Sequence, residues 1–358
     1  MSAPTRAEVW SRIAAAGIVT GEVPPHRPRV PWYVRLLQGV TGWLGALFLL
    51  AFLGNTFSFL FTDAVGAFLV GAAACVGAAI GFRRYPESDF AGQLGFAVSL
   101  AGQSLLGYGF WQLLGEHFGL LAVAMVTVEI GLFILVPNYV HRVWNAWAAA
   151  FFAWHALLQL GLGPLGPGLL TAALAWMWLE EPELAHYGER AHAAAWGLAL
   201  ATLQFPICGR RVCDLTVLLG WPGGDSLGVW VEWAGSVLLV VVLVAVVWRL
   251  LRREGHSLST RPGAVALAGA SILAITSLKA PGFSPAMVAL LAGFSAGSRQ
   301  LTALAVFALV AYLTRYYYAL EAPLLDKALL MMITGGALLL VALAQRELCT
   351  CGLEEDCG

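Results

Sequence analysis

The chain has 358 residues, 59% of them hydrophobic and only 11% charged, with 20 Lys and Arg against 21 Asp and Glu. A soluble domain carries roughly 25% charged residues to face water, so a soluble enzyme is excluded as the main reading, and the aromatic content excludes a disordered chain. The net charge of −1 excludes a nucleic-acid binder that relies on bulk positive charge, which leaves an all-α polytopic transmembrane helix bundle.

Residues 1–31 form a polar N-terminal segment on the cytoplasmic side. Thr5 and Glu8 have capping-box spacing, in which hydroxyl and carboxylate satisfy the free N–H groups of a helix start. Val9, Trp10 and Ile13 then share a face, and Gly17 offers a stop. This short helix reads either as a cap on the bundle or as a helix lying on the membrane surface. Pro24, Pro25, Pro28 and Pro31 follow as an extended linker. The first long apolar run begins late and has no cleavage-like site, so no signal peptide is expected.

Crossing the ~30 Å hydrocarbon core takes about 20 mostly apolar residues. Twelve such runs fill a membrane domain at 32–346: residues 36–60, 64–82, 90–114, 118–136, 143–162, 165–179, 191–208, 229–251, 263–280, 283–297, 301–319 and 323–344. The sixth and tenth are short, giving ten to twelve spans with twelve preferred. A β-barrel would need alternating polarity, and 237–247 does not alternate. With twelve spans and a cytoplasmic N-terminus, the inner segments hold fifteen Lys and Arg and the outer segments five. This asymmetry sets N-in, C-in. Several tryptophans, Trp111, Trp144, Trp230 and Trp248 among them, fall near span ends, where amphipathic rings favour the interface. The two halves of the domain show no repeat.

Charge at mid-bilayer costs a few kcal/mol and marks a functional candidate. Glu129 lies in the fourth run among apolar neighbours, and His155 lies in the fifth with Gln159 one turn on. At similar depth on consecutive spans, Glu129 and His155 could relay protons, or Glu129 could be a protonated group bonded to a neighbouring helix. Gln93, Gln103 and Gln112 do not share a face, so hydrogen bonding between helices is the better reading for them, and for Asn145 and Gln204. Glu232 is near enough to a span end to reach water.

Two motif matches lack their context. The glycines at 161, 163 and 166 fit G-x-G-x-x-G without a βαβ unit. Gly293, Ser295 and Gly297 fit G-x-S-x-G, but no His follows His256, and close helix packing explains these glycines, as it does Gly77 and Gly81. No Walker A sequence or HExxH pair is present, no cofactor is expected, and an enzyme is the less favoured reading.

Cys208 and Cys213 flank Arg210 and Arg211 on the expected outer side, where they either form a disulfide or remain two thiols. The tail at 347–358 holds Cys349, Cys351 and Cys357 with Glu354, Glu355 and Asp356 nearby. Three thiolates could hold a soft metal, but the spacing matches no zinc pattern, and a disordered polar tail is favoured. Arg315, Tyr316, Tyr317 and Tyr318 lead towards Lys327 at the join of the last two runs. These suit either an interfacial belt with ion pairs or a recognition surface for a partner or lipid.

Pro31-Trp32, the Gly-Trp-rich stretch Gly42-Trp43-Leu44-Gly45, the Tyr316-Tyr317-Tyr318-x-Leu320 segment and Leu324-Leu325-x-Lys327 together resemble a bacterial multi-pass membrane family, domain of unknown function 4401. The resemblance covers about residues 30–345, with one departure, Ala328 where the family often has Ser. It implies a bacterial inner-membrane protein associated with another polytopic family and with a membrane-anchored envelope protein carrying a GDYxxLxY-type motif. Expected partners are therefore the lipid bilayer and such an envelope protein, with no nucleic acid. The expected function is a membrane subunit or scaffold. The alternative is a proton-coupled transporter of a small solute or lipid using Glu129 and His155.

Overall fold

The computed structural model describes residues 6–17, 63–86, 88–180, 188–212, 227–255, 261–278 and 282–319, with isolated positions between 21 and 56 and at 332. All regular structure among them is helical. In chain order the helices are α1 (Arg6–Ala15), α2 (Ala64–Arg84), α3 (Asp89–Leu114), α4 (Phe118–Leu135), α5 (Tyr139–Gln159), α6 (Gly166–Leu179), α7 (Glu189–Val212), α8 (Val229–Arg253), α9 (Arg261–Thr276), α10 (Phe283–Ser295) and α11 (Arg299–Ala319). The run at 323–344, most of the run at 36–60, and the Pro-rich linker lie outside the described residues.

Four of these segments are long and apolar enough to cross a membrane: α2, α4, α8 and residues Arg299–Tyr318 of α11. Helices α3, α5 and α7 are as long, at 26, 21 and 24 residues, but intersperse Gln, Ser, His, Asn or Arg along their length. The apolar run expected at 191–208 extends as a helix through Arg210 and Arg211 to Val212.

Helix starts follow from local chemistry. The side chains of Asp63, Ser88 and Asn138 accept hydrogen bonds from the backbone N–H of Gly66, Ala91 and His141, which cap α2, α3 and α5. Pro137 cannot continue α4, so α4 and α5 form a tight hairpin with only residues 136–138 between them. Gly115 adopts φ +56 at the turn from α3 into α4, a conformation that favours glycine.

Among the described residues the bundle has two larger cores, with a smaller cluster of Phe151, Trp154 and Phe205 between α5 and α7. Cys75, Ala78, Phe82, Phe96, Leu132 and Val136 form one among α2–α5. Leu174, Leu203, Leu243, Val288, Leu301 and their neighbours form the other among α6, α7, α8, α10 and α11. Helix α5 joins them, packing on α4 and on α7. Large apolar side chains face outwards over much of the surface, Phe294 and Trp230 at 82% and 83% exposed, as lipid contact requires.

Helices α2 and α3 touch backbone to backbone. A Cβ at Gly71 would lie 2.8 Å from the Gly102 carbonyl oxygen, and one at Gly102 would lie 2.7 Å from that of Gly71. The small residues that make this crossing are not the expected Gly77 and Gly81, which have open space around them. Gly293 does pack closely, against the Thr302 backbone, whereas Gly297 serves a turn at φ +65.

Candidate functional site

Five polar side chains from three helices converge in the first half of the bundle. Ser99 and Gln103 are one turn apart on α3, and His141 and Asn145 are one turn apart on α5, so each pair shares a face. Glu129 projects from α4. All five are no more than 5% exposed. The Asn138 cap fixes where α5 begins and so places His141 in its first turn.

The contacts form a chain. Ser99 Oγ lies 2.7 Å from His141 Nε2. Gln103 Nε2 donates to Ser99 Oγ at 3.3 Å, and Trp144 Nε1 donates to Gln103 Oε1 at 3.1 Å, which fixes the Gln103 amide. The Asn145 amide sits in the middle. One of its ends is 3.1 Å from Glu129 Oε2 and 3.3 Å from Gln103 Nε2, and the other is 2.9 Å from His141 Nδ1 and 3.2 Å from the Phe133 backbone nitrogen. With its nitrogen towards Glu129, Asn145 donates to the carboxylate and accepts from His141 and Phe133.

Aromatic rings seal the site. Phe82 and Phe96 stand edge-on to His141, with centroids at 5.4 and 6.0 Å. Cys75 of α2 donates through Sγ to the Ser99 carbonyl at 3.8 Å. Arg83 Nη2 donates to the Leu135 carbonyl at 3.0 Å, placing a cation at the C-terminus of α4. Trp144, half-buried near the start of α5, directs its ring N–H to Gln103.

Glu129 and His155 are not neighbours in this chain of contacts. The α4–α5 hairpin folds about Pro137, which sets Glu129 against Asn145. His155 is ten residues beyond Asn145 on α5, about 15 Å of helix rise. There, His155 Nδ1 donates to the Phe151 carbonyl at 3.0 Å, and its ring lies tilted against Phe151 and edge-on to Trp154. Gln159 lies further on, where its Cβ would meet a Cβ at Gly119 at 3.3 Å. The buried partners of Glu129 are thus Asn145 and, through it, His141. Reflecting the sequence about Pro137 would have found the first of them.

A second buried carboxylate escaped the sequence reading. Glu180 follows the last residue of α6 and is 4% exposed. It pairs with Arg249 and, at 3.4 Å, with Arg253, one turn apart at the end of α8. Arg252 lies over the Trp248 ring at 4.9 Å instead. The signal was available: a carboxylate ending one apolar helix, and an i, i+4 arginine pair ending another.

Arg315 turns towards the bundle, where Nη1 donates to the Phe205 carbonyl at 3.5 Å and the guanidinium lies 5.6 Å from the Tyr312 ring. Tyr316 stacks on Tyr312 with centroids 6.0 Å apart, and Tyr317 meets Tyr318 edge-on at 5.6 Å. Tyr318 is 78% exposed. Lys327 lies outside the described residues, as do Cys213, Cys349, Cys351 and Cys357. Cys208 belongs to α7. Among the described residues no group of His, Cys, Asp and Glu could hold a metal ion.

Long apolar helices around an enclosed polar network define a helical membrane protein. The chain matches the family described as Domain of unknown function (DUF4401) over residues 31–346 and belongs to it. No curated protein and no solved structure matches the chain.

Proposed function

We propose that this protein is a membrane subunit or scaffold of the bacterial inner membrane that acts with an envelope partner. In this reading it crosses the bilayer twelve times with both termini in the cytoplasm. One observation carries it. Glu129 is 1% exposed and its carboxylate is met by Asn145 inside the bundle, so the deepest charge candidate serves to hold helices together. The Tyr317–Tyr318 end of α11 then becomes the partner surface. Arg315 is tied inwards to α7, which orients that end while leaving Tyr318 outside.

A photoreactive amino acid in place of Tyr318, activated in native membranes, tests this reading. A discrete adduct with a membrane-anchored protein supports it, and adducts with lipid alone contradict it. Proton-coupled transport is the second reading, favoured by the unbroken contact chain from Glu129 through Asn145 and His141 to Ser99. It requires an aqueous path to that chain from one side.

A further inference from the structure

The Asn145 amide occupies a position where either of its two orientations finds a hydrogen-bond partner at both ends. Its first end faces Gln103 Nε2 and Glu129 Oε2, and its second faces His141 Nδ1 and the Phe133 backbone nitrogen. Gln103 Nε2 is fixed as a donor, because its amide oxygen accepts from Trp144. The remaining variables are therefore the proton on Glu129, the rotation of Asn145 and the proton position on His141.

When Glu129 is ionised, only a donor at the first end satisfies it. The Asn145 nitrogen then faces Glu129, and the Asn145 oxygen accepts from Phe133 N–H and from a proton on His141 Nδ1. His141 Nε2 is left bare and accepts from the Ser99 hydroxyl. When Glu129 is protonated, its O–H and Gln103 Nε2 both donate to an Asn145 oxygen at the first end. The Asn145 nitrogen then donates to a bare His141 Nδ1, and His141 carries its proton on Nε2, donating to Ser99 Oγ. The Glu129–Asn145, Asn145–His141 and His141–Ser99 bonds reverse direction between these two states, while the bond from Phe133 N–H belongs to the first state and the bond from Gln103 to Asn145 belongs to the second.

We propose that Glu129, Asn145, His141 and Ser99 form a single two-state switch, in which the proton on Glu129 sets the rotation of the Asn145 amide and, through it, the tautomer of His141. This goes beyond the scaffold reading and does not rest on it. Few other charges compete for control. From α2, Cys75 is within electrostatic reach of Glu129, and Arg83 is engaged with the Leu135 carbonyl. From α3, the facing groups are the neutral Gln103 and Ser99. From α5 come His141 and Arg142, the latter in the fields of Glu189 and Arg190. Among the described residues, no cation pairs with Glu129.

The test is solid-state NMR of the full chain in lipid bilayers, with ¹⁵N-labelled histidine and ¹³C-labelled glutamate. His141 is assigned from the signal lost in His141→Gln, and Glu129 from the signal lost in Glu129→Leu. Over the pH range in which the protein stays folded, the Glu129 carboxyl signal and the His141 tautomer should change together. The proton should sit on Nδ1 when Glu129 is ionised and on Nε2 when it is neutral. A reversed hydrogen bond sets the size of the change, at least about tenfold in the tautomer ratio. Glu129→Leu should hold His141 in the Nε2 form at all pH values, because Gln103 alone then orients Asn145. In Asn145→Leu, Glu129 should titrate without His141 following. A His141 pattern that stays constant in the wild type overturns the proposal, whether or not Glu129 titrates. A coupled change that survives in Asn145→Leu also overturns it.

Discussion

The Asn145 side-chain amide lies 3.1 Å from Glu129 Oε2, joining α4 to α5 eight residues to either side of Pro137. This contact turns an isolated carboxylate on an apolar helix into part of a network that also reaches α3 through Gln103 and Ser99. Each polar group removed from water is thereby matched by another, and the match fixes the register of the helices.

Deleting the carboxylate should therefore cost stability. Glu129→Leu removes the bond between the carboxylate and the Asn145 amide, and a buried hydrogen bond to a charged group contributes about 1–3 kcal/mol. Glu129→Gln retains both a donor and an acceptor and should cost less than half of that. Thermal unfolding in a mild detergent, followed by tryptophan fluorescence, ranks the two. Equal midpoints for Glu129→Leu and the wild type would contradict the network's structural role.

The crossing of α2 over α3 predicts a sharp contrast between glycines. Gly102→Ala places a Cβ 2.7 Å from both the Gly71 carbonyl oxygen and Cys75 Sγ, and should cost about 1–3 kcal/mol by overpacking. Gly77→Ala meets open space and should stay within about 0.5 kcal/mol of the wild type. The same unfolding measurement separates them, and similar midpoints would contradict the crossing.

The Glu180 cluster predicts an asymmetric pair of losses. Glu180 is buried whereas Arg249 and Arg253 are half-exposed, so Glu180→Ala removes the shared partner of two cations and Arg253→Ala removes only one of them. Glu180→Ala should lower the unfolding midpoint more. A double-mutant cycle between the two should give a coupling of about 0.5–1 kcal/mol, weakening in high salt because the arginines face solvent. Additive effects would contradict the pairing.

Most of the helical segmentation was legible in the sequence because apolar runs end at charges, prolines or glycines. Residues 64–82 became Ala64–Arg84, 118–136 became Phe118–Leu135, and 229–251 became Val229–Arg253. The differences lie at the ends: arginines on flexible stems extend α2 and α8 beyond their apolar runs, and α4 stops one residue early, ahead of Pro137. Glu129 was legible too, as a charge without neighbours.

Its partner was not, for a geometric reason. Depth alone made His155 a plausible match, but an antiparallel hairpin is a reflection about its turn, and the turn at Pro137 is only three residues long. That reflection gives position 145. The involvement of Gln103 and Ser99 depends on how α3 crosses the hairpin, which comes from packing at glycine contacts rather than from periodicity. The bond from Trp144 to Gln103 depends on the same crossing.

The central claim is that the Glu129 network is closed and structural. Ser99→Cys, in a background with the six native cysteines replaced by serine, puts a thiol at its α3 end, beside His141. Labelling is then measured in membrane vesicles with a small water-soluble maleimide applied from each side. Glu116→Cys, in the exposed turn before α4, provides the reference for an open position. The account predicts labelling of Cys at 116 and none at 99 from either side. Labelling at 99 from one side would show an aqueous path to Glu129, contradict the closed network and favour proton-coupled transport.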